Sequence, residues 1–168
     1  MGIGRVLALA CAAIATAAPV HAGPPVPEGA TFTVFTRPTV TRFPDVAYDT
    51  KAGAYLVVSG QGGVSGQFVE ATGPAGNVFD ISTDTTALSP RVASNGDGFL
   101  TCWLVEAEQA VKCRSVKRLA SGPQLGSVHT LDTAGAKHGE SAPSLACAVA
   151  SSECLVTWAD SPSIDLRG

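Results

Sequence analysis

The sequence predicts an all-β chain built from a repeated antiparallel four-strand unit, and three observations carry that reading. There are 18 glycines and 11 prolines in 168 residues, while charged residues reach only 15%, a profile of short strands joined by turns. An outline recurs three times: a proline, an apolar residue and an alanine at fixed offsets, then a polar turn, then an apolar run. It is best framed from Ser89 to Trp103. The opening prolines, Pro44, Pro90 and Pro143, stand 46 and 53 residues apart, which is room for four strands and their turns.

In chain order, residues 1–22 read as a signal peptide. Arg5 precedes an apolar stretch from Val6 to Val20, and Val20-His21-Ala22 is a small-x-small cleavage site. A lipid-modified Cys11 is the rival reading, but Ala8-Leu9-Ala10-Cys11 comes so early that almost no apolar region precedes it. Cleavage removes Arg5 and leaves ten basic against fourteen acidic side chains. That acidic balance argues against nucleic acid or an anionic membrane as partner, since both require a basic footprint. No later segment approaches 18 uninterrupted apolar residues, so no membrane span is expected. The mature protein is expected to be secreted, periplasmic or displayed at the cell surface.

Residues 23–30 are a Pro/Gly-rich tether. Residues 31–36, Thr-Phe-Thr-Val-Phe-Thr, alternate polar and apolar with the period of a half-buried strand, an orphan ahead of the first repeat. The first repeat occupies residues 44–83: Pro44 to Tyr48, a turn at Asp49–Gly53, the run Tyr55 to Val58, a third strand from Val64 to Val69, and Gly73-Pro74-Ala75-Gly76 leading into Val78-Phe79-Asp80-Ile81. The second, residues 90–132, has Phe99 to Trp103, Val111 to Val116 and Val128 to Leu131 in the same places, with Asn95-Gly96-Asp97-Gly98 as its first turn. The third, residues 143–168, has Cys154 to Trp158 and Ile164 to Leu166 and stops there.

A four-strand unit recurring every 40 to 50 residues is the signature of a propeller blade. Blades stack face to face, so the second strand of each is expected to be buried on both sides, with Leu56, Leu100 and Leu155 in that role. Phe32 and Phe35 stand 12 and 9 residues before Pro44, as Val78 and Ile81 do before Pro90, so residues 31–36 read as the fourth strand of a blade whose other strands come from elsewhere. Three repeats are fewer than the four or more that propellers use. The array therefore reads as incomplete: a fragment of a longer chain, an open array, or one part of a ring closed by self-association.

The pattern Pro-x-Val-Ala, then Phe/Tyr-Leu-x-x-Trp, then an apolar fourth strand resembles the repeats of secreted bacterial β-propeller-like proteins over residues 31–168. The first copy departs from it, with Ser59 where Trp103 and Trp158 close the second strand. The resemblance implies a rigid scaffold and no particular chemistry.

Four cysteines follow the signal peptide. A two-residue turn at Ala107-Glu108 places Cys102 directly opposite Cys113, in a register of the wider, hydrogen-bonded kind, and Cys147 and Cys154 flank the first turn of the third repeat. Two local disulfides are expected, Cys102 with Cys113 and Cys147 with Cys154. A metal site built from all four lacks any Cys-x-x-Cys spacing. His129, Asp132, His138 and Glu140 form the densest polar group, and Asp45, Arg91 and Ser144 are equivalent residues on first strands, where a channel mouth would present them to a ligand. No phosphate loop, nucleophile elbow or paired-carboxylate motif gives catalysis positive support, and no catalytic residue, metal or cofactor is implied. The expected function is an exported, non-catalytic module binding a protein or glycan. The alternative is a fragment of a secreted carbohydrate-acting hydrolase whose catalytic residues lie in missing blades.

Overall fold

Three antiparallel sheets, one per repeat, hold the strands of the computed structural model, which describes residues 31–35, 42–132, 142–160 and 165–167. The first contains β1 (Asp45–Asp49), β2 (Ala54–Ser59), β3 (Val64–Glu70) and β4 (Gly73–Ser82) in sequential order. The second repeats that meander with β5 (Ala87–Ser94), β6 (Phe99–Val105), β7 (Ala110–Leu119) and β8 (Gly122–Asp132). In the third, β10 (Glu153–Asp160) lies between β9 (Ser144–Ala148) and β11 (Asp165–Arg167). The described residues contain no helix, and so none long and apolar enough to cross a membrane.

Turn chemistry sets the hairpins. Asp49 Oδ1 accepts the Ala52 amide at 2.6 Å in the β1–β2 turn, and Asn95 Oδ1 accepts the Asp97 amide at 3.1 Å in the equivalent β5–β6 turn. Register then makes the repeat visible in pairs: Ala47 opposes Leu56, Ala93 opposes Leu100 and Ala146 opposes Leu155. By the same alignment Val57, Thr101 and Val156 are equivalent, as are Ser59, Trp103 and Trp158.

Gly73–Gly76, expected to lead into the fourth strand, is already part of β4, and Gly122 to Gly126 likewise belongs to β8. Proline is tolerated there because β4 and β8 are edge strands and bulges interrupt their ladders. Gln67 Nε2 donates to the carbonyls of Ala75 and Gly76, and the equivalent Arg114 donates through Nε to Gly126 O at 2.7 Å. Residues 31–35 carry no strand pairing; Thr36 of the expected orphan strand lies outside the described residues. Alternation there is a local pattern, and a strand also needs a partner edge.

The first strands lie side by side, β1 against β5 and β5 against β9. Between the first two sheets one apolar cluster joins Leu56, Val58, Phe68 and Ile81 to Val92, Phe99, Trp103 and Val116. Between the second and third another joins Leu100, Cys102, Leu104 and Cys113 to Leu145, Val156 and Trp158. Each sheet thus has a leading face, toward the preceding repeat, and a trailing face, toward the next. Among the described residues of the three second strands, β6 is the one covered along nearly its whole length on both faces. The expectation that all three second strands are buried on both sides fails at the ends: Leu56 is fully buried and Leu100 half-buried, but Leu155 is 60% exposed, and Tyr55 on the leading face of β2 is 45% exposed. The reason is that no described sheet lies against those two faces.

Candidate functional site

Of the residues placed by sequence on the first strands, Asp45 is engaged in a seam. Asp45 Oδ2 accepts the Val92 amide at 2.9 Å, so this side chain ties β1 to β5. Asp49, four residues on and buried, does the same through Oδ2, which accepts the Ser94 hydroxyl at 2.6 Å. Arg91 Nη1 turns back to its neighbour's carbonyl, Pro90 O, at 3.0 Å. Ser144 is exposed on β9. His129 is exposed on β8, the edge opposite β5 in its sheet. Three strand spacings separate those edges, about 14 Å, so His129 and Arg91 do not share one site. His138 and Glu140 lie outside the described residues, as does the side chain of Asp132.

The cysteines are paired two by two. Cys102 and Cys113 oppose each other across β6 and β7 with sulfur atoms 2.10 Å apart, and Cys147 and Cys154 do so across β9 and β10 at 2.06 Å. Their Cα separations, 4.1 and 4.0 Å, are narrower than the wide-pair spacing expected for Cys102 and Cys113. Among the described residues no group of three His, Cys, Asp or Glu is placed to hold a metal.

The densest polar cluster is one that sequence reasoning missed. At the end of the sheets that carries the β1–β2 and β5–β6 turns, Asp97 is gripped by two lysines, Lys51 through Oδ1 and Lys117 through Oδ2. Beside it Arg118 pairs with Glu70 and donates through Nη1 to Ala52 O at 3.1 Å, so the second sheet holds the turn of the first. These groups border a groove of about 400 Å³ lined by Asp49, Lys51, Asp97, Lys117, Arg118 and Gln124 among others. Hydrogen bonds from Lys117 and Lys51, with their Coulombic attraction, bring the Asp97 pKa down to about 2, and the bond to Asp97 raises that of Lys51. Both move away from neutrality, which makes them poor proton shuttles and good fixed charges. No local motif announces the cluster, since its members come from two turns and the ends of β3 and β7. The available signal was the repeat itself, which makes the turns carrying Lys51 and Asp97 equivalent and therefore neighbours.

A second hollow, also about 400 Å³, lies between Ile81 to Asp84 of the first repeat and Trp103, Lys112, Arg114 and Val128 of the second. Arg114 Nη1 donates to Ile81 O at 2.8 Å across it. Asp84 accepts the Thr86 amide, the Thr86 hydroxyl adds a second bond, and its pKa is lowered, chiefly by the backbone bond.

No family model matches this chain, and no curated protein or solved structure is significantly similar to it. What the arrangement defines is an antiparallel, repeat-like all-β scaffold with paired cysteines and a charged groove at one end of its first seam.

Proposed function

We propose that the chain is an exported, non-catalytic interaction module on a β-propeller-like scaffold, binding a protein or glycan through the groove at the turn end. The observation that carries this reading is the convergence of two equivalent turns, with Lys51 and Asp97, upon Lys117 and Arg118 in one groove. Lys51, Lys117 and Arg118 face Asp49 and Asp97 in the groove lining, and Arg118 is paired with Glu70, so the groove suits a ligand rich in hydroxyls or peptide groups better than a strongly charged one. The meander order, with first strands adjacent, favours a propeller-like stack over a two-layer sandwich. Export is supported by the pattern of residues 1–22 and by the cysteine pairs, which persist in oxidising compartments.

The test has two arms. Expressed with residues 1–22 in a bacterial host, the protein should be recovered outside the cytoplasm beginning at Gly23 and without free thiols; cytoplasmic retention with reduced cysteines overturns export. The purified protein is then titrated against a panel of soluble polysaccharides and peptides, beside a variant combining Lys51→Ala and Lys117→Ala. Binding lost in the variant supports the groove, equal binding by both removes it from the function, and hydrolysis of any panel member overturns the non-catalytic reading.

A further inference from the structure

The two seams inside the chain follow one rule, and that rule defines the two faces left open. On each trailing face an alanine opposes a leucine, a small residue beside a large one. Ala47 and Leu56 meet the second sheet in a cluster with Val92 and Phe99. Leu100, opposite Ala93, meets the third sheet in a cluster with Leu145 and Val156. In the third sheet the same pair, Ala146 and Leu155, helps to line an open hollow of about 460 Å³, and Leu155 is 60% exposed.

The opposite end supplies a matching surface. By register, Val46 stands where Val92 does, and Tyr55 where Phe99 does. Both are exposed on the leading face of the first sheet, at 55% and 45%, and Tyr48 packs on Tyr55 with ring centroids 4.8 Å apart. Where the later repeats place a tryptophan, this face has Ser59, whose hydroxyl donates to Arg42 O, so the chain entering β1 covers that position. Val46, Tyr48 and Tyr55 make the first face largely apolar, and on the second Ala146 and Leu155 form an apolar centre flanked by Glu153, Ser144 and Thr157.

We infer that the trailing face of the third sheet docks on the leading face of the first sheet in a second copy of the chain, with Tyr55 and Val46 seated against Ala146 and Leu155. The contact repeats the internal seam, is head-to-tail, and uses a different patch on each partner, so it propagates or closes a ring. The inference rests on the seams alone and is independent of ligand binding at the groove.

The experiment uses the secreted, disulfide-intact protein in sedimentation velocity and light scattering across micromolar concentrations. Wild type should show twice the chain mass if the ring closes, or a concentration-dependent series if it does not. Leu155→Asp and Tyr55→Asp should each prevent ring closure and self-assembly, because each spoils one of the two patches. Mixed in equal amounts they should form a dimer and nothing larger, since the first keeps a sound leading face and the second a sound trailing face. Far- and near-ultraviolet circular dichroism of the variants verifies folding. A wild type that stays monomeric throughout, or folded variants that assemble as wild type does, overturns the inference. A mixture that remains monomeric overturns its head-to-tail form.

Discussion

In the second sheet β6 is buried from Phe99 to Val105 except at half-buried Leu100, whereas β2 and β10, built from the same repeat, each turn a large apolar side chain to solvent, Tyr55 and Leu155. The three strands differ little in apolar content. What differs is the number of sheets beside them, so burial in this chain is conferred by stacking more than by local sequence. Leu56, Leu100 and Leu155 make the point at one register position, passing from fully buried to 60% exposed. A mutation series across equivalent positions therefore measures neighbours and not residue type.

The largest contrast is expected at the tryptophans. Trp103 is fully buried between the first two sheets, while the equivalent Trp158 is half-buried against the second. Trp103→Ala should cost about 3–5 kcal/mol, the range for truncating a buried aromatic, and Trp158→Ala clearly less. Urea unfolding with unchanged slope reads both. Equal losses would break the comparison, because they would mean that the third sheet is as enclosed as the second.

The seam bonds come next. Asp49 is buried and accepts from Ala52 N and Ser94 Oγ, one bond within its own turn and one across to β5. Asp49→Ala should lower stability by about 1–3 kcal/mol, since it removes a charged acceptor and strands the Ser94 hydroxyl. A cycle with Ser94→Ala isolates the part that crosses the seam. Additive losses would show that Asp49 serves only its turn.

Much of this scaffold is readable in the sequence, and the part that is not has a common cause. The turns at Asp49 and Asn95 and the opposition of Cys102 to Cys113 follow from pairing within one hairpin. Hairpin pairing is local, so spacing reveals it. The groove escaped notice because Lys51, Asp97 and Lys117 meet across sheets, and no spacing within a hairpin encodes that. Asp45 carries the same lesson: its place on a first strand suggests a ligand, but its side chain is occupied by the Val92 amide of the next repeat, 47 residues away. Gly73 to Gly76 is expected only to lead into the fourth strand, and its place within β4 rests on Gln67 of the neighbouring strand, whose side chain bonds the Ala75 and Gly76 carbonyls.

A gain in stability is expected at Thr101. Its hydroxyl is buried with no hydrogen-bond partner among the described residues, and the equivalent positions hold Val57 and Val156. The second repeat thus carries a polar atom where its neighbours carry a methyl group. Thr101→Val should raise stability by about 1 kcal/mol, the lower part of the cost of an unpaired buried hydroxyl. A loss of stability instead would show that the hydroxyl is satisfied, and that the second repeat differs from its neighbours for a structural reason.

The smallest effect belongs to the contact that joins the same two sheets at the surface. Asp97 lies between Lys117 and Lys51, and its pKa falls from 3.8 to about 2, first through the Lys117 hydrogen bond and then through that of Lys51. A folded-state pKa below the unfolded value means that the contribution is complete above 3.8 and is lost as the pH falls through about 2. Lys51, whose pKa is raised, contributes in the opposite sense: its part is present below 10.5 and disappears as the pH rises through its folded value. Solvent and salt screen both. Asp97→Asn should therefore narrow the stability difference from wild type steadily between pH 4 and pH 2, and added salt should narrow it at neutral pH. The loss from Asp49→Ala should respond far less to salt, because its bonds are buried. If Asp97 proved as salt-insensitive as Asp49, the turn end would be as closed as the seam, and its groove would have no room for a ligand.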